Sequence, residues 1–138
     1  MPCLSGLFQA GVGPLVNLGV SKAGSISPQA GTASAKGFPA LIDTGASMTC
    51  ISPAVAQALA LRPIGRRPMV SATHAIPVNA YMVDLILPFG GSSYVVPTIQ
   101  VLEFSSHAAS PFQILLGRDI LCRGTLNISF DGHFTFCL

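Results

Sequence analysis

The sequence predicts an all-β domain with one or two short helices. Between residues 78 and 87, Val83, Leu85 and Leu87 alternate with Met82, Asp84 and Ile86, and this period of two is typical of a β-strand. An Asp-Gly pair divides residues 125–138 into two alternating segments, which is the strongest hairpin signal in the chain. Helical features occur only over the short segments 53–60 and 118–123. Strands therefore account for most of the predicted regular structure.

Length and composition predict one domain over residues 1–138. The chain is long enough to bury a substantial core, since 50% of its 138 residues are hydrophobic and only 9% are charged. A chain this apolar must hide much of its surface. An interface between copies of the chain could bury part of this apolar surface.

Charge and hydropathy exclude two classes of partner. The net charge of +2 is too small to predict a nucleic-acid groove, and Arg62, Arg66 and Arg67 are interpreted as a solvated loop. No apolar run approaches the roughly 18 residues that a membrane helix needs. The chain as given is therefore expected to contain no membrane segment, although an anchor outside it is left open.

The cysteines and histidines predict neither a metal site nor a redox motif. Cys3, Cys50, Cys122 and Cys137 form no C-x-x-C pair, and the three histidines lie at no metal-ligand spacing. We interpret all four cysteines as free thiols. The even count permits two disulfides in a secreted protein, but no signal peptide opens the sequence, which favours a reducing, cytoplasmic location.

In the first part of the chain, residues 14–20 alternate loosely and predict a strand. Residues 21–37 are rich in Ser, Ala and Gly without periodicity, so a long flexible loop is expected there. Ala40, Leu41 and Ile42 then form an apolar run that predicts a buried strand.

The middle of the chain begins with a short helix over 53–60, because Ser52 supplies a capping hydroxyl and Pro53 suits the first helical position. A hairpin is predicted to follow, with its second strand over 78–87. A further strand covers 92–101, where Pro97 indicates a sheet edge.

The last third of the chain adds a short buried strand and a short helix before the final hairpin. Residues 112–116 are apolar apart from Gln113, as in strands that are buried on both faces. The helix over 118–123 is expected to end at Gly124.

The most informative stretch is Phe-Pro-Ala-Leu-Ile-Asp-Thr-Gly-Ala-Ser, residues 38–47. Its apolar strand ends abruptly at Asp43, which leaves a carboxylate beside the core. Such a group must be paired, hydrogen-bonded or neutralised, so it requires an explanation. For an isolated Asp-Thr-Gly, a plain strand-ending turn is an equally good interpretation. A second segment, Ile-Leu-Leu-Gly-Arg-Asp at 114–119, favours a functional one.

These two motifs, in this order and at this separation, resemble those of the retropepsin-like aspartic proteases. The resemblance is anchored at residues 38–50 and 111–122. It implies a closed β-barrel or sandwich that corresponds to one lobe of the pepsin-type fold and is completed by homodimerisation. It also implies hydrolysis of peptide bonds without a cofactor.

The same resemblance assigns residues 71–81 to the flap that closes over a bound peptide, with its tip near residues 74–77. No glycine lies at that tip, although tight two-residue turns usually need one. The flap residues expected to bind substrate are Ala72, Thr73, His74, Ala75 and Ile76.

Aspartic proteases use two carboxylates that share one proton, and this chain has only one Asp-Thr-Gly. The other four acids are Asp84, Glu103, Asp119 and Asp131, and none lies in a comparable Gly-bearing loop. A twofold axis would bring Asp43 next to its own copy. The expected partner is therefore a second copy of the chain, and the substrate is a peptide with apolar residues around the cut.

Further roles follow from the resemblance. Thr44 would lock the loops of two subunits together, Gly45 would allow the turn and close approach of the substrate water, and Ala46 would leave the carboxylate without a neighbouring hydroxyl. A second layer of residues would support the loop from behind: Leu115, Leu116, Gly117 and Arg118.

Arg118 departs from the family pattern in its partner. In viral relatives this arginine pairs with an acid four residues after the catalytic Asp, but that position here is Ser47. Arg118 must therefore use a backbone carbonyl, Asp119 or solvent.

Two alternatives to a protease stay open. The domain could keep the fold as a catalytically silent dimerisation or peptide-binding module, although the intact Asp-Thr-Gly argues against that. A monomeric β-barrel that encloses a small apolar ligand is the other alternative. It predicts that changing Asp43 has no effect on partner binding.

Overall fold

The computed structural model describes residues 2–29, 31–32 and 34–138. In this part of the chain, strands dominate and only two short helices occur, so the predicted all-β class is confirmed. The strands are β1 (Cys3–Gln9), β2 (Gly13–Lys22), β3 (Lys36–Ile42), β4 (Cys50–Ile51), β5 (Gly65–Val70), β6 (Ala75–Phe89), β7 (Ser92–Glu103), β8 (Ile114–Leu116), β9 (Thr125–Ile128) and β10 (His133–Cys137); the helices are α1 (Pro53–Ala58) and α2 (Arg118–Leu121).

Six strands close into a barrel in the order β6-β7-β4-β8-β3-β2, and β2 returns to pair with β6. The closing pairs run from Gly19 opposite Ile86 to Lys22 opposite Val83. Closure removes the free edges that an open sheet of these strands would present. The barrel interior is filled by fully buried side chains that include Leu18, Val20, Val83, Leu85, Val101, Ile114 and Leu116.

The two chain ends meet in a three-stranded extension of this sheet. β1 pairs antiparallel with β10, which in turn pairs with β9. Cys3 lies directly opposite Cys137, and the two form a disulfide across 134 residues of sequence. The expectation of four free thiols is therefore wrong for this pair, while Cys50 and Cys122 are free. Because disulfides are typical of oxidising compartments, the argument for a reducing location no longer stands.

The loop predicted over residues 21–37 is shorter in the structure, because β2 continues to Lys22 and β3 begins at Lys36. Positions 30 and 33 of this loop lie outside the described residues. The buried carboxylate of Asp84 holds its start, accepting hydrogen bonds from the amides of Gly24 (3.0 Å) and Ile26 (3.4 Å). The same carboxylate accepts from the amide of Thr98 (2.8 Å).

Both helices begin where the sequence predicts. The hydroxyl of Ser52 accepts a hydrogen bond from the amide of Val55, and Pro53 occupies the first turn of α1. Both helices end two residues before their predicted ends. Neither is long and apolar enough to cross a membrane.

The hairpin predicted to be the flap consists of β5 and the first part of β6, with Val70 opposite Ala75. Its turn is therefore residues 71–74, and the tip predicted near residues 74–77 is wrong by about three positions. The reason is that Ser71 makes a turn that needs no glycine. Its hydroxyl accepts from the amides of Thr73 (3.4 Å) and His74 (3.1 Å), and its own amide donates to the carbonyl of His74 (2.8 Å).

The C-terminal hairpin is confirmed, with Phe134 opposite Ile128 and a turn over residues 129–132. Gly132 has φ of 86°, a conformation that few other residues adopt. Asp131 accepts hydrogen bonds from the hydroxyl of Ser129 and the amide of His133, and these bonds lower the pKa of its carboxyl to about 2.

Candidate active site

Asp43 lies at the point where β3 leaves the barrel. β3 runs parallel to β8, with Ile42 beside Leu116, so both strands end at the same edge. The amide of Asp43 donates to the carbonyl of Leu116 (3.0 Å), which continues the strand pairing by one residue. The parallel pair therefore delivers the Asp-Thr-Gly loop and the Gly-Arg-Asp segment to one place, although more than 70 residues separate them in the sequence.

The carboxylate of Asp43 is held by its own loop. The amide of Gly45 donates to Oδ1 (2.9 Å), and the amide of Ala46 donates to the carbonyl of Asp43 (3.2 Å). A Cβ atom on Gly45 would lie 3.1 Å from Oδ1, which explains why the smallest residue occupies this position. In the described part of the chain no group donates to Oδ2, so one carboxylate oxygen is available for other chemistry.

Arg118 binds two backbone carbonyls of the Asp43 loop. Its backbone amide donates to the carbonyl of Ala46 (2.9 Å), and its Nη1 donates to the carbonyl of Thr44 (2.9 Å). The sequence left three partners open for this arginine, and in the structure its side chain binds a backbone carbonyl. Ser47 offers no carboxylate, so the guanidinium instead binds the peptide unit next to Asp43.

A second connection joins the two motifs through residues that sequence reasoning missed. Thr49 is fully buried, and both its amide (3.0 Å) and its hydroxyl (2.8 Å) donate to Oδ1 of Asp119. The same hydroxyl accepts from the amide of Gly117 (3.1 Å). A buried hydroxyl needs such partners, and a threonine between apolar Met48 and Cys50 is the sequence signal that could have indicated it.

Asp43 opens onto a cleft of about 500 Å³ between its own loop and the hairpin of β5 and β6. Apolar side chains form most of its wall, and among the described residues Asp43 is the one charged group that lines it. Its lining consists of Asp43, Gly45, Ala46, Ser47, Met48, Cys50, Pro68, Met69, Val70, Ser71, Leu102 and Leu115.

The predicted flap residues lie just beyond this cleft. Its outer wall comes from the first strand of the hairpin and Ser71, whereas the segment from Ala72 to Ile76 forms the turn and the start of the second strand. Ile76 lies opposite Met69 and is half exposed. The sequence located the hairpin but missed the strand that lines the cleft.

Cys50 lies in the cleft wall, and its thiol is buried. Burial raises its pKa to about 11, with smaller contributions from the negative charges of Asp119 and Asp43. The thiol is therefore neutral over the physiological range and acts as a small apolar wall group.

The remaining acids are each engaged elsewhere. Asp84 is buried against the amides described above, and Glu103 accepts a hydrogen bond from the hydroxyl of Tyr81 (2.6 Å). Asp119 is bound by Thr49, and Asp131 caps the C-terminal turn. No second acid of this chain lies on the cleft, and the described residues contain no cluster of three or more His, Cys, Asp or Glu that could hold a metal ion.

Comparison with known proteins agrees with this geometry. Residues 30–120, which include both motifs and the hairpin predicted to be the flap, match the family model described as aspartyl protease. A search of curated protein sequences found no significant match.

Among solved structures, the fold is similar to that of a retropepsin-like aspartic protease from Rickettsia conorii. The two share 16% identity with a TM-score of 0.62, and the match covers 97% of this chain and 89% of the other. At that identity the likeness concerns the fold. With the Asp-Thr-Gly loop at the end of a barrel strand, the Gly-Arg-Asp segment behind it and the family model spanning both, the chain belongs to the aspartyl protease family.

Proposed function

We propose that this protein is an aspartic endopeptidase whose active site is completed by a second copy of the chain. The proposal rests on the hydrogen bonding of the Asp43 carboxylate. One of its oxygens accepts a hydrogen bond from the amide of Gly45. The other oxygen has no donor among the described residues, and Asp43 lines an apolar cleft. Family membership makes peptide hydrolysis the reaction to test first.

The chemistry requires two carboxylates with one proton between them. One takes a proton from a water molecule as that water attacks the peptide carbonyl carbon, and the other gives its proton to the carbonyl oxygen. Proton transfer to the amide nitrogen then lets the carbon–nitrogen bond break. Asp43 can perform one of these roles, and Asp43 of the partner subunit would perform the other.

The positions of the acidic residues support association of two copies. The chain has five acidic residues, and four of them are engaged away from the cleft. The exposed hydroxyl of Thr44 has no hydrogen-bond partner in the described part of the chain, and it lies next to Asp43. In a symmetric dimer it would bind the partner subunit's loop and fix the two carboxylates at their working distance.

The cleft favours extended peptides with bulky apolar side chains on both sides of the cut. Its wall includes Met48, Met69, Leu102 and Leu115, and among the described residues it offers no cation or second anion to bind a charged side chain. The turn residues from Ala72 to Ile76 are proposed to contact the peptide backbone when the hairpin closes.

The test is incubation with a diverse peptide mixture, with cleavage products identified by mass spectrometry. Asp43→Asn should lower kcat/KM by about 100- to 10,000-fold, because the amide cannot exchange the proton. Glu103→Gln is the matched control: it makes the same acid-to-amide change outside the cleft and should keep activity. Undiminished cleavage by Asp43→Asn would refute the proposal, and binding without cleavage by the unaltered protein would favour the silent peptide-binding module.

A further inference from the structure

We propose that Arg67 makes this protein prefer peptides that carry an acidic side chain, Asp or Glu, outside the apolar residues next to the cut. The inference rests on the proposed function, because it assigns a specificity-determining residue to the same cleft. It adds one charged position to a substrate that the cleft wall alone defines as apolar.

Two arginines lie on the strand that forms the outer wall of the cleft. The sequence predicts a solvated loop at Arg66 and Arg67, but in the structure both residues belong to β5. Successive side chains of a strand point to opposite faces of its sheet. The two arginines therefore point to opposite sides of the hairpin of β5 and β6, and one of them shares the side of the cleft.

Cross-strand pairing identifies Arg67 as that residue. Arg67 lies opposite Val78, and residues directly opposite on antiparallel strands share a face. Val78 and Met69 both pack against a buried apolar cluster that includes Cys50 and Leu102. Cys50, Leu102 and Met69 also line the cleft. Because Arg67 precedes Met69 by two residues in the same strand, its side chain lies on this inner face.

Arg67 borders the end of the cleft that is farther from the hairpin turn. The part of β5 that lines the cleft begins at Pro68, and the lining continues to Ser71 in the turn. Residues two apart in a strand are separated by about 6.6 Å, and an extended peptide advances by the same distance. A peptide residue two positions farther out than the residue against Met69 therefore lies beside Arg67.

Gly65 leaves room for the guanidinium of Arg67. Nη1 donates to the carbonyl of Arg66 (2.9 Å), and a Cβ atom on Gly65 would lie 3.0 Å from Nη1. Gly65 also has a φ of 152°, which favours glycine. In the described part of the chain Nε and Nη2 have no acceptor. These two groups form the edge of the guanidinium that can bind a carboxylate through two parallel hydrogen bonds.

The charge of Arg67 is not neutralised within the chain. Among the described residues the ion pair is that of His133 with Asp131, and no Lys or Arg takes part in one. Arg67 is exposed, so it adds positive potential at the end of a cleft whose described lining contains no cation. Such a charge attracts an acidic side chain of the peptide and disfavours a basic one.

Pairs of peptides test this preference. Both members of a pair share the apolar residues around the cut, and they differ only in having Glu or Gln at one outer position. At one such position the unaltered protein should cleave the Glu peptide with a kcat/KM about threefold to tenfold higher, the effect of a carboxylate that binds an exposed arginine. Added salt should reduce this ratio, because it screens exposed charges.

Three variants separate a direct contact from general charge. Arg67→Gln should bring the Glu-to-Gln ratio close to one and leave kcat/KM for the Gln peptide unchanged, so the Gln peptide also reports intact folding and catalysis. Arg67→Glu should reverse the preference and make a Lys peptide the better substrate. Arg66→Gln is the matched control, because it removes the same charge from the opposite face of β5, where Arg66 lies opposite Asn79. It should keep the preference for Glu.

Equal cleavage of the Glu and Gln peptides at every outer position would overturn the role of Arg67 and leave the proposed function intact. An equal loss of preference in Arg66→Gln and Arg67→Gln would also overturn the direct contact. Failure of the unaltered protein to cleave any of the peptides would instead overturn the proposed function, and this inference with it.

Discussion

Gly117 shows how closely the two motifs are packed. A Cβ atom there would lie 2.6 Å from the carbonyl carbon of Met48 and 2.9 Å from the amide nitrogen of Thr49. Real Cβ atoms do not approach backbone so closely, and backbone cannot turn aside as a flexible side chain can. The absence of a side chain at this position is therefore what allows the Gly-Arg-Asp segment to lie behind the Asp43 loop.

We predict that Gly117→Ala destabilises the protein by about 1–3 kcal/mol, the usual range for overpacking. Because Met48 follows the Asp43 loop, which we propose to be catalytic, activity should fall as well. Urea denaturation measures the stability, with Gly37→Ala as the control, since no atom lies within 4 Å of a Cβ built on Gly37. Equal stability of the two variants would contradict the packing argument.

Cys50 leads to a prediction about pH. Burial is the main cause that raises the pKa of its thiol to about 11, so the reactive thiolate is scarce near neutral pH. Alkylation of the folded protein by iodoacetamide should modify the exposed Cys122 quickly and Cys50 slowly, with the rate at Cys50 increasing only as the pH approaches its pKa.

Mass spectrometry of the peptides that contain Cys50 and Cys122 gives the alkylation rate of each cysteine. Since the charge of Asp43 contributes to the raised pKa, Asp43→Asn should move the Cys50 profile slightly towards lower pH. Rapid alkylation of Cys50 at neutral pH in the folded protein would contradict its burial in the cleft wall.

Among the larger elements, β6 and β7 depend on one buried carboxylate. Their register shifts between Val83 and Leu85, and Asp84 at this irregularity accepts the amide of Thr98 on β7. Its other oxygen accepts two amides from the residues that follow β2. One side chain therefore satisfies a strand irregularity and the start of a loop whose backbone groups would otherwise lack partners.

We predict that Asp84→Ala destabilises the protein by at least about 2 kcal/mol, because three amides lose their acceptor. The stability of Asp84→Asn should lie between that of the unaltered protein and that of Asp84→Ala. The asparagine amide keeps one acceptor oxygen, but its N–H group faces another donor. Hydrogen exchange should accelerate at Gly24, Ile26 and Thr98. Unchanged exchange at these amides in Asp84→Ala would refute the role of the carboxylate.

For the whole molecule, the disulfide between Cys3 and Cys137 joins the two ends of the chain. It links β1 and β10, which are neighbours in the terminal sheet, through a sequence separation of 134 residues. A cross-link that closes so long a loop removes many conformations from the unfolded chain. The bond therefore fastens the last strand of the chain to the first within the terminal sheet.

We predict that replacing both cysteines by serine lowers the free energy of unfolding by about 2–4 kcal/mol. Dithiothreitol should lower the stability of the unaltered protein by a similar amount and leave the double variant unchanged. A Cys122→Ser variant, which keeps the disulfide, is the control. Insensitivity of the unaltered protein to the reductant would show that the bond does not form or does not contribute.

Local sequence was sufficient for the features that depend on neighbouring residues. The hydroxyl of Ser52 followed by proline predicts the start of α1, and the Asp-Gly pair at 131–132 predicts the last hairpin, because capping and turn geometry involve only a few adjacent residues. The two motifs predicted the family for a similar reason: each is a short, contiguous segment whose chemistry is visible in its residue types.

Tertiary structure was needed wherever a residue's partner lies far along the chain. Cys3 meets Cys137 because the sheet brings the ends together, and the bonds of Thr49 to Asp119 arise because β3 and β8 are parallel neighbours. No local pattern specifies such pairs, since many distant partners are compatible with the same sequence until the barrel closes. The turn of the hairpin predicted to be the flap lies at residues 71–74 because the cross-strand register between β5 and β6 sets its position, and the largely exposed β5 has too weak an apolar pattern to indicate that register.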